Sequence, residues 1–458
     1  MNKAMVTIAA FLLFSAGAVA QQTKTVVADE APFEMAPLEM HVFPARDFSI
    51  TRYGAKPDDV KANTVAFAKA FAACSKAGGG RVVVPDGTWL TGPIHFLSGV
   101  ELHLADGARI LFDDDPQLYL PAVKTSWEGM ECYNYSPLIY AYECENVAIT
   151  GAGTIEAKMD LWRTWFDRPE GHMAALKRLY SMMSSGVDIE FRHMEADTTA
   201  HLRPHLIQFN RCTNVRMDGF KIRHSPFWTI HTYMCRDLYV NGLDVYAHGH
   251  NNDGIDLEST QHAVIENCRF DQGDDGVVIK SGRNQDGWKN AMPTSDIVVR
   301  NCDAVDAHGL LVVGSEIAGG VSRVYIHDCT SSSIVNRLMY LKTNERRGGV
   351  LEDITMENVE ANVQRNALFC IETDVVYQWK VVPTFEVKPT VIRNITMRNV
   401  HAKKTPVMIR IMGDGRCPVD GVRIENASAD TVTSAVSELN NARNVLMDGI
   451  SYGTIIAK

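Results

Sequence analysis

A five-residue phrase recurs along this chain: apolar, any, apolar, any, then Gly, Asn or Asp. It reads Val147-Ala-Ile149-Thr-Gly151, then Val215-Arg-Met217-Asp-Gly219, Leu238-Tyr-Val240-Asn-Gly242, Ala263-Val-Ile265-Glu-Asn267 and Ile297-Val-Val299-Arg-Asn301. Five more copies begin at Val324, Ile354, Ile395, Val422 and Val445. Alternation of apolar and polar residues is the period of a strand. Gly, Asn and Asp tolerate the left-handed backbone that ends one. The turn residue returns every 23 to 41 residues after a first gap of 68. A unit of that size with variable insertions predicts an all-β parallel β-helix, a solenoid of short stacked strands. Leucine-rich repeats share the period but need a regular Leu spacing that is absent. A sandwich or propeller needs hairpin turns, which are scarce here.

The rest of the chain is arranged around this repeat. Asn63 to Ala77 reads as an amphipathic helix ending at Gly78-Gly79-Gly80, placed to cap the open end of the solenoid. The first gap marks an insertion over about 157–203, helical over 169–185. Residues 1–20 read as an export signal: Lys3, an apolar stretch from Met5 to Phe14, and Ala18-Val19-Ala20 as the cleavage site. That stretch is too short to span a bilayer. The expected division is a signal over 1–20, an arm over 21–45 and one catalytic β-helix domain over 46–458. A secreted or periplasmic monomer without a membrane span is expected.

At 458 residues the chain is long for one ordinary core but suits a fold that grows along an axis. Hydrophobic residues at 46% and charged ones at 22% exclude general disorder. A net charge of −10 argues against a nucleic-acid partner. It also means that an acidic polysaccharide must be held by local Lys and Arg. Ten cysteines suit a disulfide framework in an exported chain. However, Cys268, Cys302 and Cys329 each follow the turn residue of one copy, a register that predicts stacked, buried, free thiols.

Four polar clusters fall on consecutive copies: Asn251-Asn252-Asp253-Gly254-Ile255-Asp256, Gly273-Asp274-Asp275-Gly276, His308-Gly309 and Tyr340-Leu341-Lys342-Thr343. Each follows its phrase by 7 to 14 residues. Strands on adjacent coils lie about 4.8 Å apart, so the clusters form one ladder roughly 15 Å long on one outer face. Like charges so close raise at least one carboxyl pKa. A glycosidase needs one carboxyl to protonate the leaving oxygen and another to act on water or the anomeric carbon. A histidine can tune that proton and a lysine can bind a sugar carboxylate. Any one cluster alone is more often an ordinary turn; four on successive coils are not. Calcium is the rival reading, because carboxylates on β-helices also serve eliminative cleavage. The histidine and glycines in the ladder fit it less well, and no Cys/His spacing suits zinc. No metal or cofactor is expected.

These motifs resemble glycoside hydrolase family 28, the polygalacturonase-like pectinases, and in particular bacterial exo-type members. Tyr53-Gly-Ala55, Thr91-Gly-Pro-Ile94 and Gly151-Ala-Gly-Thr-Ile155 look like the family's N-terminal half. Ser225-Pro-Phe-Trp-Thr-Ile-His231, the Asn251-Asn252-Asp253 run and the later clusters then arrive in family order. The resemblance implies a right-handed β-helix and inverting hydrolysis of α-galacturonosidic bonds in a pectic polysaccharide or oligosaccharide, without metal. Asp274 would be the general acid, Asp253 and Asp275 would activate water, and His308 would support the acid. Lys342 would bind a substrate carboxylate. Lys280, Arg283 and Asn284 resemble substrate contacts for a non-reducing galacturonate, and Asn252 and Tyr340 fall among the substrate-binding positions.

One position departs from the family pattern. Tyr340 stands where the family has an arginine that grips a galacturonate carboxylate. Arg337 is three residues away, and strand alternation points it to the opposite face. A rhamnose leaving group is therefore expected, as in a rhamnogalacturonan backbone. The insertion, with Trp162, Trp165 and Phe166, is expected to wall off one end of the groove and favour exo cleavage, its aromatics either stacking on sugar or simply packing. The alternatives are a pectate or rhamnogalacturonan lyase and a non-catalytic polysaccharide-binding β-helix.

Overall fold

The computed structural model describes residues 23–382 and 386–455; the signal expected over 1–20 lies outside them. The chain winds as a right-handed parallel β-helix whose stacking unit is the repeated phrase. Val147 pairs with Val215, Val215 with Leu238, Leu238 with Ala263, Ala263 with Ile297 and Ile297 with Val324. The row continues through Ile354, Ile395 and Val422 to Val445. Two earlier coils extend it, Ile149 pairing with Leu102 and Leu102 with Val82. The phrase does not mark the coil of Leu102, because Leu104 lies opposite Gly151, where a turn residue is expected.

The ten turn residues all have left-handed backbone, from φ 51° at Asp328 to 107° at Gly151. Their side chains form a ladder of their own: Asn399 Nδ2 donates to Asn358 Oδ1 at 3.1 Å, and Asn426 Nδ2 to Asn399 Oδ1 at 3.2 Å. A second left-handed residue directly precedes every copy, from Asn146 to Asn444, and includes His262 and Arg323. The first and third phrase positions face a continuous core that runs from Ile50 to Val432. All ten cysteines are free and nine are buried; Cys302 N–H donates to Cys329 Sγ at 3.4 Å within the stacked row.

Helix α1, Val60–Lys76, lies against the first coils with Phe67 and Phe71 buried. It starts three residues before the expected Asn63, because Asp59 caps it, accepting from Ala62 N–H at 2.9 Å. The arm forms an antiparallel hairpin, Thr23–Val26 with Leu38–His41. Val26, Leu38 and Met40 cover Tyr239, Val264, Val298 and Tyr325, the outward second positions of four copies.

Three excursions leave the solenoid beside the polar ladder. One is an antiparallel hairpin, Val123–Trp127 with Met130–Asn134, which the sequence reading did not anticipate. Its loop is Glu128-Gly129, both residues left-handed (φ 44° and 80°), as a two-residue hairpin turn requires. The second carries helix α2, Glu170–Ser184. The third follows the strand Val350–Glu372 and carries a short 3-10 helix, Tyr377–Val381. They meet in a separate apolar cluster that includes Trp127, Leu176, Leu179, Trp228 and Trp379. Trp162 and Trp165 instead join the main core, 0% and 8% exposed, so they pack rather than present a stacking platform.

Candidate active site

Four adjacent strands bring the ladder together. Ile255 pairs with Val277, Val277 with Leu311 and Leu311 with Met339. Asp253 and Asp275 lie two residues before Ile255 and Val277, so they are equivalent positions on neighbouring coils; Gly254 N–H donates to Asp275 C=O at 2.9 Å. Lys280 and Lys342 lie at the far ends of their strands and reach back toward the acids. Gly314, on the coil between them, packs directly on the Lys342 backbone, where a Cβ would collide with the Lys342 carbonyl oxygen. Lys342 Nζ crosses this intervening coil to donate to Asp275 Oδ2 at 2.8 Å.

The carboxyls sit in different surroundings. Asp274 Oδ1 lies 2.9 Å from His308 Nδ1. Burial would raise the Asp274 pKa, but the His308 hydrogen bond and charge, with Lys342 and Lys280, outweigh it and hold it down at about 2. The same hydrogen bond raises the His308 pKa against the effect of burial. The pair therefore keeps one proton over a wide pH range. Asp253 is buried beside Asp256, and burial followed by that like charge pushes its pKa well above the usual carboxylate range. Lys280 Nζ lies 2.7 Å from Asp256, 3.3 Å from Asp253 and 3.9 Å from Glu316, and 3.3 Å from the Trp228 ring centre. Burial also raises Asp256, to about 7, even though Lys280 opposes it.

These groups face a cleft of about 560 Å³. A second lobe of about 320 Å³ adjoins it, sharing Asp275, His308, Lys342 and Tyr377. Asp253, Asp274, Asp275, His308, Lys280 and Lys342 all line the main cleft. Tyr340 lines the second lobe, its hydroxyl donating to Glu372 Oε2 at 2.6 Å. Three expected substrate contacts do not reach the cleft. Asn252 is 1% exposed and donates to Ser225 and Phe227 carbonyls at 2.9 and 2.8 Å, while its neighbour Asn251 faces the cleft. Arg283 is 1% exposed, held between Glu128 and Glu316 with its guanidinium 4.0 Å from the Trp379 ring centre. Asn284 is likewise buried, donating to Tyr180 Oη at 2.9 Å.

Arg337 corrects the strand argument. Leu338 and Met339 are both buried in the main core, so the alternation breaks between them, and Arg337 lines the second lobe together with Tyr340. Its guanidinium lies 4.1 Å from the Tyr340 ring centre and 3.4 Å from Glu372 Oε2.

The sequence reading missed Glu128, Arg168, Glu316 and Trp379, all of which line the cleft. The Glu-Gly pair was a usable hairpin signal for Glu128. Arg168 stands in a segment without periodicity, so nothing marked it. Asp274, Asp275 and His308 also bring one potential ligand atom each within 4.8 Å of one another, a grouping with the donor types of a cation site. The Lys342 ammonium already lies against Asp275 and His308 against Asp274, which leaves a cation poorly served.

Residues 184–447 match the model of the family described as glycosyl hydrolases family 28. The chain is 26% identical over 426 residues to a probable polygalacturonase of Vitis vinifera, covering 89% of this chain and 79% of that protein. It is 25% identical over 299 residues to the exo-poly-alpha-D-galacturonosidase of Dickeya chrysanthemi, covering 60% of this chain and 48% of that one. Among solved structures, the hyperthermoactive exopolygalacturonase of Thermotoga maritima superposes with a TM-score of 0.81 at 35% identity, covering 90% of this chain and 94% of that one. Among the described residues no helix is long and apolar enough to cross a membrane. With the β-helix, the acidic cleft and the family match in agreement, the chain belongs to glycoside hydrolase family 28 and is a glycoside hydrolase.

Proposed function

We propose that this protein is an exported, exo-acting galacturonidase that removes galacturonate from the end of a pectic chain with inversion. The observation that carries the reading is the convergence of Asp253, Asp274, Asp275, His308 and Lys342 on one cleft flanked by Glu128, Arg168 and Trp379. The Asp274–His308 pair stores the proton that the leaving oxygen needs, and Asp274 delivers it. Asp275, held by Lys342, takes the proton of the attacking water; Asp253 is the second carboxyl on that water. The reaction needs no metal in this scheme. The three excursions close one flank, which favours a chain end over a through-running polymer. In the second lobe Arg337 is met by Glu372 and Lys342 by Asp275, and the neighbouring Arg410 is met by Glu372 and Glu438. Its cations are spent on protein carboxylates, which supports a neutral rhamnose on the leaving side.

The test is digestion of homogalacturonan, rhamnogalacturonan oligosaccharides and short galacturonides, with products and their anomeric configuration identified. Galacturonate alone, released from the start as the β-anomer, is the expected result. A ladder of mixed oligomers removes the exo assignment. Ultraviolet-absorbing products that vanish with a chelator make the protein a lyase instead. Asp253→Asn, Asp274→Asn and Asp275→Asn should each lower kcat by about 10²- to 10⁴-fold.

A further inference from the structure

Among the described residues, three long cationic side chains line the main cleft, and two of them, with Arg283 and Arg203 behind its wall, are already engaged. Lys280 faces three carboxylates and Lys342 donates to Asp275. Arg283 is paired with Glu128 and Glu316. Arg203, behind the wall, donates to Asn251 Oδ1 at 2.9 Å and to the Pro226 and His250 carbonyls. Arg168 differs: among the described residues it makes no hydrogen bond and no ion pair, and its Nε is shielded from water without a partner. It is half-buried and lines the main cleft. The acid nearest in charge terms, Glu128, is already ion-paired to Arg283 at 3.3 Å. Leaving a guanidinium partly desolvated and unmatched is costly, unless a ligand supplies the missing acceptor.

We propose that Arg168 is the residue that recognises the carboxylate of the sugar in the main cleft, and so sets specificity for a terminal uronate over a neutral or esterified sugar. A planar guanidinium takes a carboxylate through two parallel hydrogen bonds, which a lysine cannot reproduce. Lys280, Lys342 and Arg283 would each first have to release a protein carboxylate, and Arg203 its carbonyl and amide partners. Arg168 also stands just ahead of α2 on the insertion, on a segment the solenoid itself does not need. The solenoid supplies the acids that cut, and the insertion supplies the group that chooses the sugar. This inference rests on the galacturonidase reading above and names the part of the substrate that the reading leaves open.

The experiment uses the disaccharide from which the wild type releases galacturonate, as the free acid and as the methyl ester of that galacturonate. Arg168→Gln should raise KM for the acid by about ten- to hundredfold, the value of one charged hydrogen-bonded contact, with kcat changed far less. The ester should be turned over equally by both enzymes, and Arg168→Lys should recover part of the loss on the acid. An equal loss on acid and ester assigns Arg168 to the wall alone and overturns the proposal, as does an unchanged KM. A wild type that cleaves no galacturonide overturns the underlying functional reading, and this inference with it.

Discussion

Lys280 brings one positive charge to Asp253, Asp256 and Glu316, and that imbalance governs the acidic end of the pH profile. Asp253 must be ionised to act on water, and its pKa is raised by burial and by Asp256. Activity should therefore fall as pH drops through a value above the ordinary carboxylate range. Asp256→Asn removes the like charge and should move this limb to lower pH, read from kcat/KM profiles. A stability effect follows with its own sign. The unfolded Asp256 ionises near 3.8, whereas the folded one holds its proton to about 7. Folded protein thus binds more protons in between, and stability falls as pH rises from about 4 to 7. Asp256→Asn should flatten that slope in thermal melts taken across the window. At the alkaline end the Asp274–His308 proton is lost as pH rises through the raised His308 pKa, so His308→Ala should abolish that limb along with most activity. Legibility at this scale was mixed. The turn residues could be read because Gly, Asn and Asp advertise left-handed backbone. The residue ahead of each phrase is usually of the same kind, yet His262 and Arg323 adopt the same φ because stacking on both sides leaves them no alternative.

Elements that depart from the regular coil decide the shape of the site. The Glu128-Gly129 loop brings Glu128 into the cleft and lets Arg283 N–H donate to Gly129 C=O at 2.9 Å. A Cβ on Gly129 would lie 2.8 Å from Arg283 N, at a φ of 80° that already disfavours a side chain. Gly129→Ala should cost about 1–2 kcal/mol in stability from the backbone alone. It should also lower kcat/KM, because Arg283 and Glu128 must shift together; an unchanged melting curve and activity would show the loop to be more forgiving. Periodicity could not reveal this hairpin, since its strands pair with each other rather than with the solenoid. Nor could alternation place Arg337, because Leu338 and Met339 both turn into the core, a break in the two-residue period that the local pattern does not announce.

On the scale of the whole molecule the phrase carried most of the architecture, because each coil contacts mainly its neighbours and one register propagates. What escaped the sequence were the attachments that cross many coils: the arm, and the cluster uniting the three excursions. Deleting residues 23–41 uncovers Tyr239, Val264, Val298 and Tyr325 at once. Loss of their apolar cover should lower Tm by about 5 °C or more and give a dye-binding surface, while the acids of the cleft stay in place. The arm also has an awkward position in time. His262 Nε2 bonds Ala36 C=O across 226 residues, and His327 meets Glu30 across 297. The arm is made well before its landing strip, so its docking reports that the middle coils have been wound. Protection of residues 23–41 from a protease would then mark the completion of those coils rather than the start of folding.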